Sequence, residues 1–296
     1  MKYKKRTLGV FSVAFAYVCW GVLTVFWNFL GEVNSVYILA QRIVWSMVFM
    51  GIYMTAAGKW TELQKVLKDR KKLSVCFICG ILITINWGVY IFAVNSGHVL
   101  DASLGYFIEP VLVVLLGLIA FREKPSTLEK VTFAFAVAGL VYLVIMTRTF
   151  PALALLIAGS FAVYGAVKKK LDLSPQASLF AETLCMTPFA LLFIIYGDTH
   201  GMGSIGVLQG MEYLLLPACG VITSVPLLMF NIGVKEIPYY LSGILMYINP
   251  TLQFLMGLFY FHEELNRSRL TAFTFIWVGV LFTIYEKVKM MRQEKI

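Results

Sequence analysis

The sequence predicts an all-α membrane protein of ten transmembrane helices, arranged as two inverted five-helix repeats. Three observations lead there. Of 296 residues, 59% are hydrophobic and 14% charged, with mean hydropathy +0.80, whereas a soluble domain is about 45–50% apolar and about 25% charged. Apolar segments of about 20 residues, the length that spans a hydrocarbon core, can be marked off along the whole chain. The second half of the chain also repeats the first.

Taken in order, the expected spans are Thr7–Leu30, Val36–Ala57, Leu73–Val94, Ala102–Phe121, Val131–Met146, Ala152–Val167, Gln176–Tyr196, Met211–Ile232, Tyr239–Phe261 and Leu270–Glu286. MKYKKR at the N-terminus resembles the start of a signal peptide, but the apolar run behind it is too long for one and reads as a retained first span. The fifth and sixth spans are short and separated only by Thr147-Arg148-Thr149-Phe150-Pro151. The connection from Gly58 to Lys72 is basic and amphipathic. No connection is long enough to form a soluble domain.

Charge placement tests the count, because Lys and Arg concentrate on the cytoplasmic side of membrane proteins. With the N-terminus inside, every Lys and Arg except Arg42, Arg148, Arg267 and Arg269 falls at a terminus or in a connection on the cytoplasmic face. Both ends are therefore expected in the cytoplasm. The net charge of +9 is accounted for by these topology signals, and no nucleic-acid partner is expected. The lipid bilayer is the expected partner, and a homo-oligomer is left open. Cys19, Cys76, Cys79, Cys185 and Cys219 all lie in apolar stretches, an odd count that cannot be fully paired within the chain.

One constant shift lays Pro110 on Pro250, Gly117 on Gly257, Phe121 on Phe261 and Glu123 on Glu263, so that EPVLVVLLGLIAFRE faces NPTLQFLMGLFYFHE. AYVCWG at Ala16–Gly21 faces SFAVYG at Ser160–Gly165. The repeats are read as residues 1–147 and 148–296. An odd number of spans per repeat starts the second on the opposite face from the first, which makes the halves inverted. Secondary transporters are often built so, with substrate bound near the midplane and alternating access by rocking.

Charges within spans are costly and usually face a cavity or a partner. Three are present: Arg42, Glu109 and Glu182. Glu109 lies roughly 12 Å from the outer end of its span at 1.5 Å per residue, and Pro110 frees a carbonyl in the region of Tyr106. Both features suit a kinked helix lining a polar cavity, where Glu109 would bind a substrate ammonium or take up a coupling proton; a Glu hydrogen-bonded to a neighbouring helix is the plainer alternative. Pro250 marks the corresponding break, with Asn249 in place of the acid. Arg42 and Glu182 have opposite signs but lie at different depths, so a direct pair needs tilted helices. Asn86, Trp87, Tyr90, Asn95, Tyr106, Tyr247, Asn249 and Gln253 supply amides and rings for the wall of a small-molecule site; interhelical hydrogen bonding is the alternative for each amide. His98, His200 and His262 do not cluster, and no nucleotide, metal or nucleophile motif is found, so neither metal nor cofactor is expected and the chain is not read as an enzyme. An intramembrane enzyme on a lipid-soluble substrate, or a non-transporting sensor, are the alternatives.

The AYxxWG opening, Gln41-Arg42-Ile43-Val44-Trp45-Ser46, Asn86-Trp87 followed by Ala93-Val94-Asn95, and ASLGYFIEP ending in Phe121-Arg122-Glu123 resemble the RarD-type branch of the EamA family, in the drug/metabolite transporter superfamily. The resemblance implies a ten-helix secondary transporter of the bacterial cytoplasmic (inner) membrane, exporting or exchanging a small metabolite, amino acid or drug-like molecule. The family pattern has Asn before the first proline, as the second copy here does. Glu109 departs from it.

Overall fold

The computed structural model describes residues 2–95, 99–147, 152–262 and 267–293. Among them the elements are helical: α1 (Lys2–Asn28), α2 (Ser35–Ala56), α3 (Trp60–Lys68), α4 (Arg70–Asn95), α5 (Val99–Ile119), α6 (Thr127–Thr147), α7 (Ala152–Lys170), α8 (Pro175–Thr199), a 3-10 turn (Gly210–Leu214), α9 (Leu215–Glu236), α10 (Tyr239–Met246), α11 (Ile248–Phe259) and α12 (Arg267–Gln293). Eight helices are long and apolar enough to cross a membrane, and two further apolar stretches, Gly105–Ile119 and Leu270–Glu286, are shorter. Phe11, Phe15, Ile52, Phe92, Leu192 and Leu281 stand exposed on the outside of the bundle, which suits contact with lipid tails. The chain is an integral membrane protein.

Local sequence sets the helix ends. Asn34 caps α2, its side-chain oxygen accepting from the backbone N–H groups of Val36 at 3.0 Å and Tyr37 at 3.2 Å. Ser174 caps α8, with Pro175 in the first helical position. Before α6, Ser126 and Glu129 form a reciprocal capping box, with Ser126 N–H donating to Glu129 at 2.8 Å and Glu129 N–H to Ser126 Oγ at 3.1 Å.

Inside the bundle α1 packs on α9 and α11, α2 on α8 and α9, α4 on α7 and α8, α5 on α7 and α10, and α6 on α12. One apolar cluster, built around Tyr17, Phe161, Tyr164, Phe230 and Tyr239, joins α1, α7, α9 and α10 at the centre. A second, with Phe107, Leu143, Ala158 and Phe273, ties α5, α6, α7 and α12 together and includes Tyr247.

The two proline-bearing segments differ. Loss of the Pro110 N–H frees the Tyr106 carbonyl four residues earlier, yet α5 stays helical through Pro110. In the second copy Tyr247 separates α10 from α11 while keeping right-handed helical dihedrals (φ −62°, ψ −13°), and Pro250 sits in the first turn of α11. Neither proline therefore takes the chain out of the helical region. Neither do the segments stand apart across an open path: α5 and α10 cross in contact, and a Cβ on Gly243 would lie 2.8 Å from the Pro110 carbonyl oxygen. The turns that follow share a backbone feature. Arg122 and His262, both with φ of 52°, are the non-glycine residues in the left-handed region among those described.

Candidate functional site

At one end of the bundle, polar side chains fasten the connections to one another. Glu123, just after α5, accepts the backbone N–H groups of Tyr239 at 2.8 Å and Tyr240 at 2.9 Å, capping the start of α10, and lies 3.6 Å from Lys169 Nζ. A carboxylate suits that position because the first helical N–H groups are unpartnered and the helix dipole is positive there. Lys169 also donates to the Ile237 carbonyl at 2.5 Å, and Lys235 to those of Leu171 at 2.7 Å and Leu173 at 2.5 Å. Ser174 bonds Glu62 of α3.

One layer further in is a buried ion pair that the sequence reading missed. Lys168 Nζ lies 2.5 Å from Glu182 Oε1, and both side chains are sealed. Ser178 bonds both partners. The Tyr164 hydroxyl donates to Glu182 Oε2 at 3.3 Å, and Asn231 donates to that hydroxyl at 3.3 Å. Charge placement alone puts Lys168, one of three consecutive lysines, in a cytoplasmic connection. Its neighbours Lys169 and Lys170 do face the connections, whereas the helical turn points Lys168 inward. The signal lay in two opposite charges on adjacent strokes of one helical hairpin. Glu182 therefore has its own cation and neither snorkels nor pairs with Arg42.

Arg42, on α2, donates from Nε to Thr223 Oγ1 on α9 at 3.1 Å. Its guanidinium lies between two indoles, 4.5 Å from the Trp27 ring centre and 4.0 Å from that of Trp87. Such stacking contributes about 2 kcal/mol when desolvated. A small void of about 20 Å³, lined by apolar side chains such as Ile43, Ile83, Leu179 and Met186, also touches Trp87, Thr223 and Glu182. Tyr106 is within electrostatic reach of Arg42, and its ring is 5.5 Å from that of Tyr90.

Glu109 is buried on α5, one turn beyond Tyr106, with 6% of its surface exposed. It has no hydrogen bond or ion pair among the described residues. It is electrostatically coupled to Tyr17 of α1, Tyr106 of α5 and Tyr239 of α10. Tyr17 in turn shares a 3.0 Å hydrogen bond with Ser242 of α10. Phenols from both halves of the chain thus lie within electrostatic reach of the carboxyl group.

The structure brings together Arg42, Trp87, Tyr90, Tyr106 and Glu109. Asn86 does not join them: its amide donates to the Ile157 carbonyl at 2.7 Å, tying α4 to α7. Asn249 accepts from Gln253 at 2.8 Å along α11, and Tyr247 is buried in the apolar cluster with its hydroxyl unpartnered. The side chain of Asn95 lies outside the described residues, as do His98, Arg148, Glu263 and the side chain of Arg269. Trp27, Tyr17 and Thr223 were not singled out from sequence, since a lone aromatic or hydroxyl residue in an apolar span carries no pattern.

A model of the family described as "EamA-like transporter family" matches this chain at residues 7–145 and again at 150–285. An uncharacterized transporter, YojE, of Bacillus subtilis is 38% identical over 100% of this chain and 99% of its own length. Proteins named RarD are 32% identical in Streptomyces exfoliatus, over 95% of this chain and 89% of that one, and 30% identical in Escherichia coli, over 99% of both. A solved crystal structure superimposes with a TM-score of 0.73 over 98% of this chain and 99% of its own. At 18% identity that likeness speaks for the fold alone. These names indicate a membrane transporter rather than an enzyme, and the chain belongs to the EamA-like transporter family as a RarD-type member.

Proposed function

We propose that the protein is a secondary active transporter that exports or exchanges a small metabolite, amino acid or drug-like molecule by alternating access, with Glu109 as the group that binds substrate or carries the coupling proton. The observation that carries this reading is the state of Glu109. An intramembrane carboxyl held for packing is bonded to a neighbouring helix, but Glu109 is buried without a partner among the described residues, with Tyr17, Tyr106 and Tyr239 within electrostatic reach. A carboxyl group without a fixed partner is free to take up and release a cation or proton.

In this reading residues 1–147 and 148–296 are inverted five-helix repeats, making ten spans with both termini in the cytoplasm of a bacterial cell. The two family matches, the shared left-handed turn at Arg122 and His262 and the repeated sequence support it. The end fastened by Glu123 is then the cytoplasmic one, where the basic connections gather.

The test is transport in proteoliposomes across a substrate panel with an imposed pH gradient, comparing the native protein with Glu109→Gln. Loss of pH-driven transport in the variant is expected, with the variant still folded. Unaltered transport and pH dependence would refute the role of Glu109. Labelling of an introduced cysteine in the Gly58–Lys72 connection should require permeabilised cells, and labelling in intact cells would reverse the orientation.

A further inference from the structure

We infer that the free edge of the Arg42 guanidinium is the binding group for the carboxylate of an organic acid with an apolar or aromatic body. This deepens the transport reading and rests on it for the way in which substrate reaches the site.

A guanidinium has two faces and one rim of N–H donors. Both faces of Arg42 are covered, by Trp27 and Trp87, and Nε is occupied by Thr223. What remains is the terminal edge with its two nitrogens. Among the described residues no acceptor and no carboxylate meets that edge, and the side chain is only partly buried. Glu182, the intramembrane anion of opposite sign, is already held by Lys168.

The arrangement is unlike one made for packing. Two indoles and one hydroxyl fix the plane and the rotation of the group, which costs side-chain freedom and leaves two adjacent donors aimed along one direction. Parallel N–H donors in a plane match the two oxygens of a carboxylate. An unpaired cation within a span is costly, and an arriving anion relieves that cost. The Tyr90 and Tyr106 rings, 5.5 Å apart and with Tyr106 in electrostatic reach of Arg42, offer aromatic surface for the body of the ligand.

The test is direct binding to the detergent-purified full-length protein, read by tryptophan fluorescence, because Trp27 and Trp87 lie against the binding group. The probes are benzoate, phenylacetate and phenylpyruvate, with benzamide as the uncharged analogue and benzylamine as the cationic one. Saturable quenching by at least one carboxylate, and by neither control, is expected. Arg42→Lys, which keeps the charge but cannot stack or present a fork, should weaken binding by about 10- to 100-fold. Thr223→Val keeps the guanidinium and frees its rotation, so it should weaken binding several-fold and guards against a folding defect in the Arg42 variant. The inference is overturned if no carboxylate binds, if benzamide binds as well as benzoate, or if both variants bind as the native protein does. Failure of the two readings can be told apart. Carboxylate binding without accumulation or exchange in proteoliposomes leaves Arg42 standing and defeats the transport reading; Glu109-dependent transport of neutral or cationic compounds without carboxylate binding does the reverse.

Discussion

Replacing Glu123 should loosen one end of the bundle by a calculable amount. In Glu123→Ala the N–H groups of Tyr239 and Tyr240 lose acceptors now at 2.8 and 2.9 Å, and each such bond to a charged group contributes about 1.5–3 kcal/mol. Glu123 is 14% exposed, so water recovers part of the loss. Lys169 keeps its bond to Ile237 and adds little. The net cost is about 2–4 kcal/mol, or roughly 5–15 °C in unfolding midpoint if about 2–4 °C accompanies each kcal/mol. Glu123→Gln retains one acceptor oxygen without the charge and should cost about half as much. The chain carries its own reporters for this assay, because Cys76, Cys79 and Cys219 are fully buried and unpaired and react with a thiol-sensitive dye only as the bundle opens. An Ala variant that unfolds within about 1 °C of the native protein would mean that the cap adds nothing, and a Gln variant as weak as Ala would mean that charge alone matters.

Three further outcomes are expected. Lys168→Met and Glu182→Leu should each destabilise by about 3–5 kcal/mol, since each strands a buried charge; the double variant should recover most of the loss in the same thiol assay, and simple additivity would contradict the pair. Asn86→Leu should cost about 0.6–1.7 kcal/mol and leave substrate affinity in proteoliposomes unchanged, because its amide is bonded to Ile157; a shift in affinity would return Asn86 to the site. Gly117→Ala places a Cβ 2.6 Å from Tyr240 N and 2.9 Å from Glu123 Oε2, so it should lower the unfolding midpoint much as Glu123→Ala does, and the double variant should be little worse than either alone.

The helical membrane fold was legible because it follows from properties that one sequence displays, namely apolar run length and the sides on which Lys and Arg fall. Glu109 was legible for the same reason, an acid in the wrong solvent. What escaped depends on rotation about helix axes. Lys168 is chemically identical to Lys169 and Lys170, and only the 100° turn per residue directs it at Glu182. Asn86 and Asn249 look alike in sequence, but one ties two helices together while the other bonds along its own. The Trp27–Arg42–Trp87 stack joins three helices whose relative angle no spacing encodes. Pro110 and Pro250 carry the same local signal, and the copies differ in the residue before it, Glu109 in one and Asn249 in the other.

That inequality bears on how the molecule rests. On the inverted-repeat reading, halves of identical structure would make the inward-open and outward-open forms equivalent through a two-fold axis in the membrane plane, and equally populated without any gradient. Here one half carries an acid beside its proline where the other carries a neutral amide. On that reading the two forms are no longer equivalent, and the difference between Glu109 and Asn249 biases which orientation is preferred at rest.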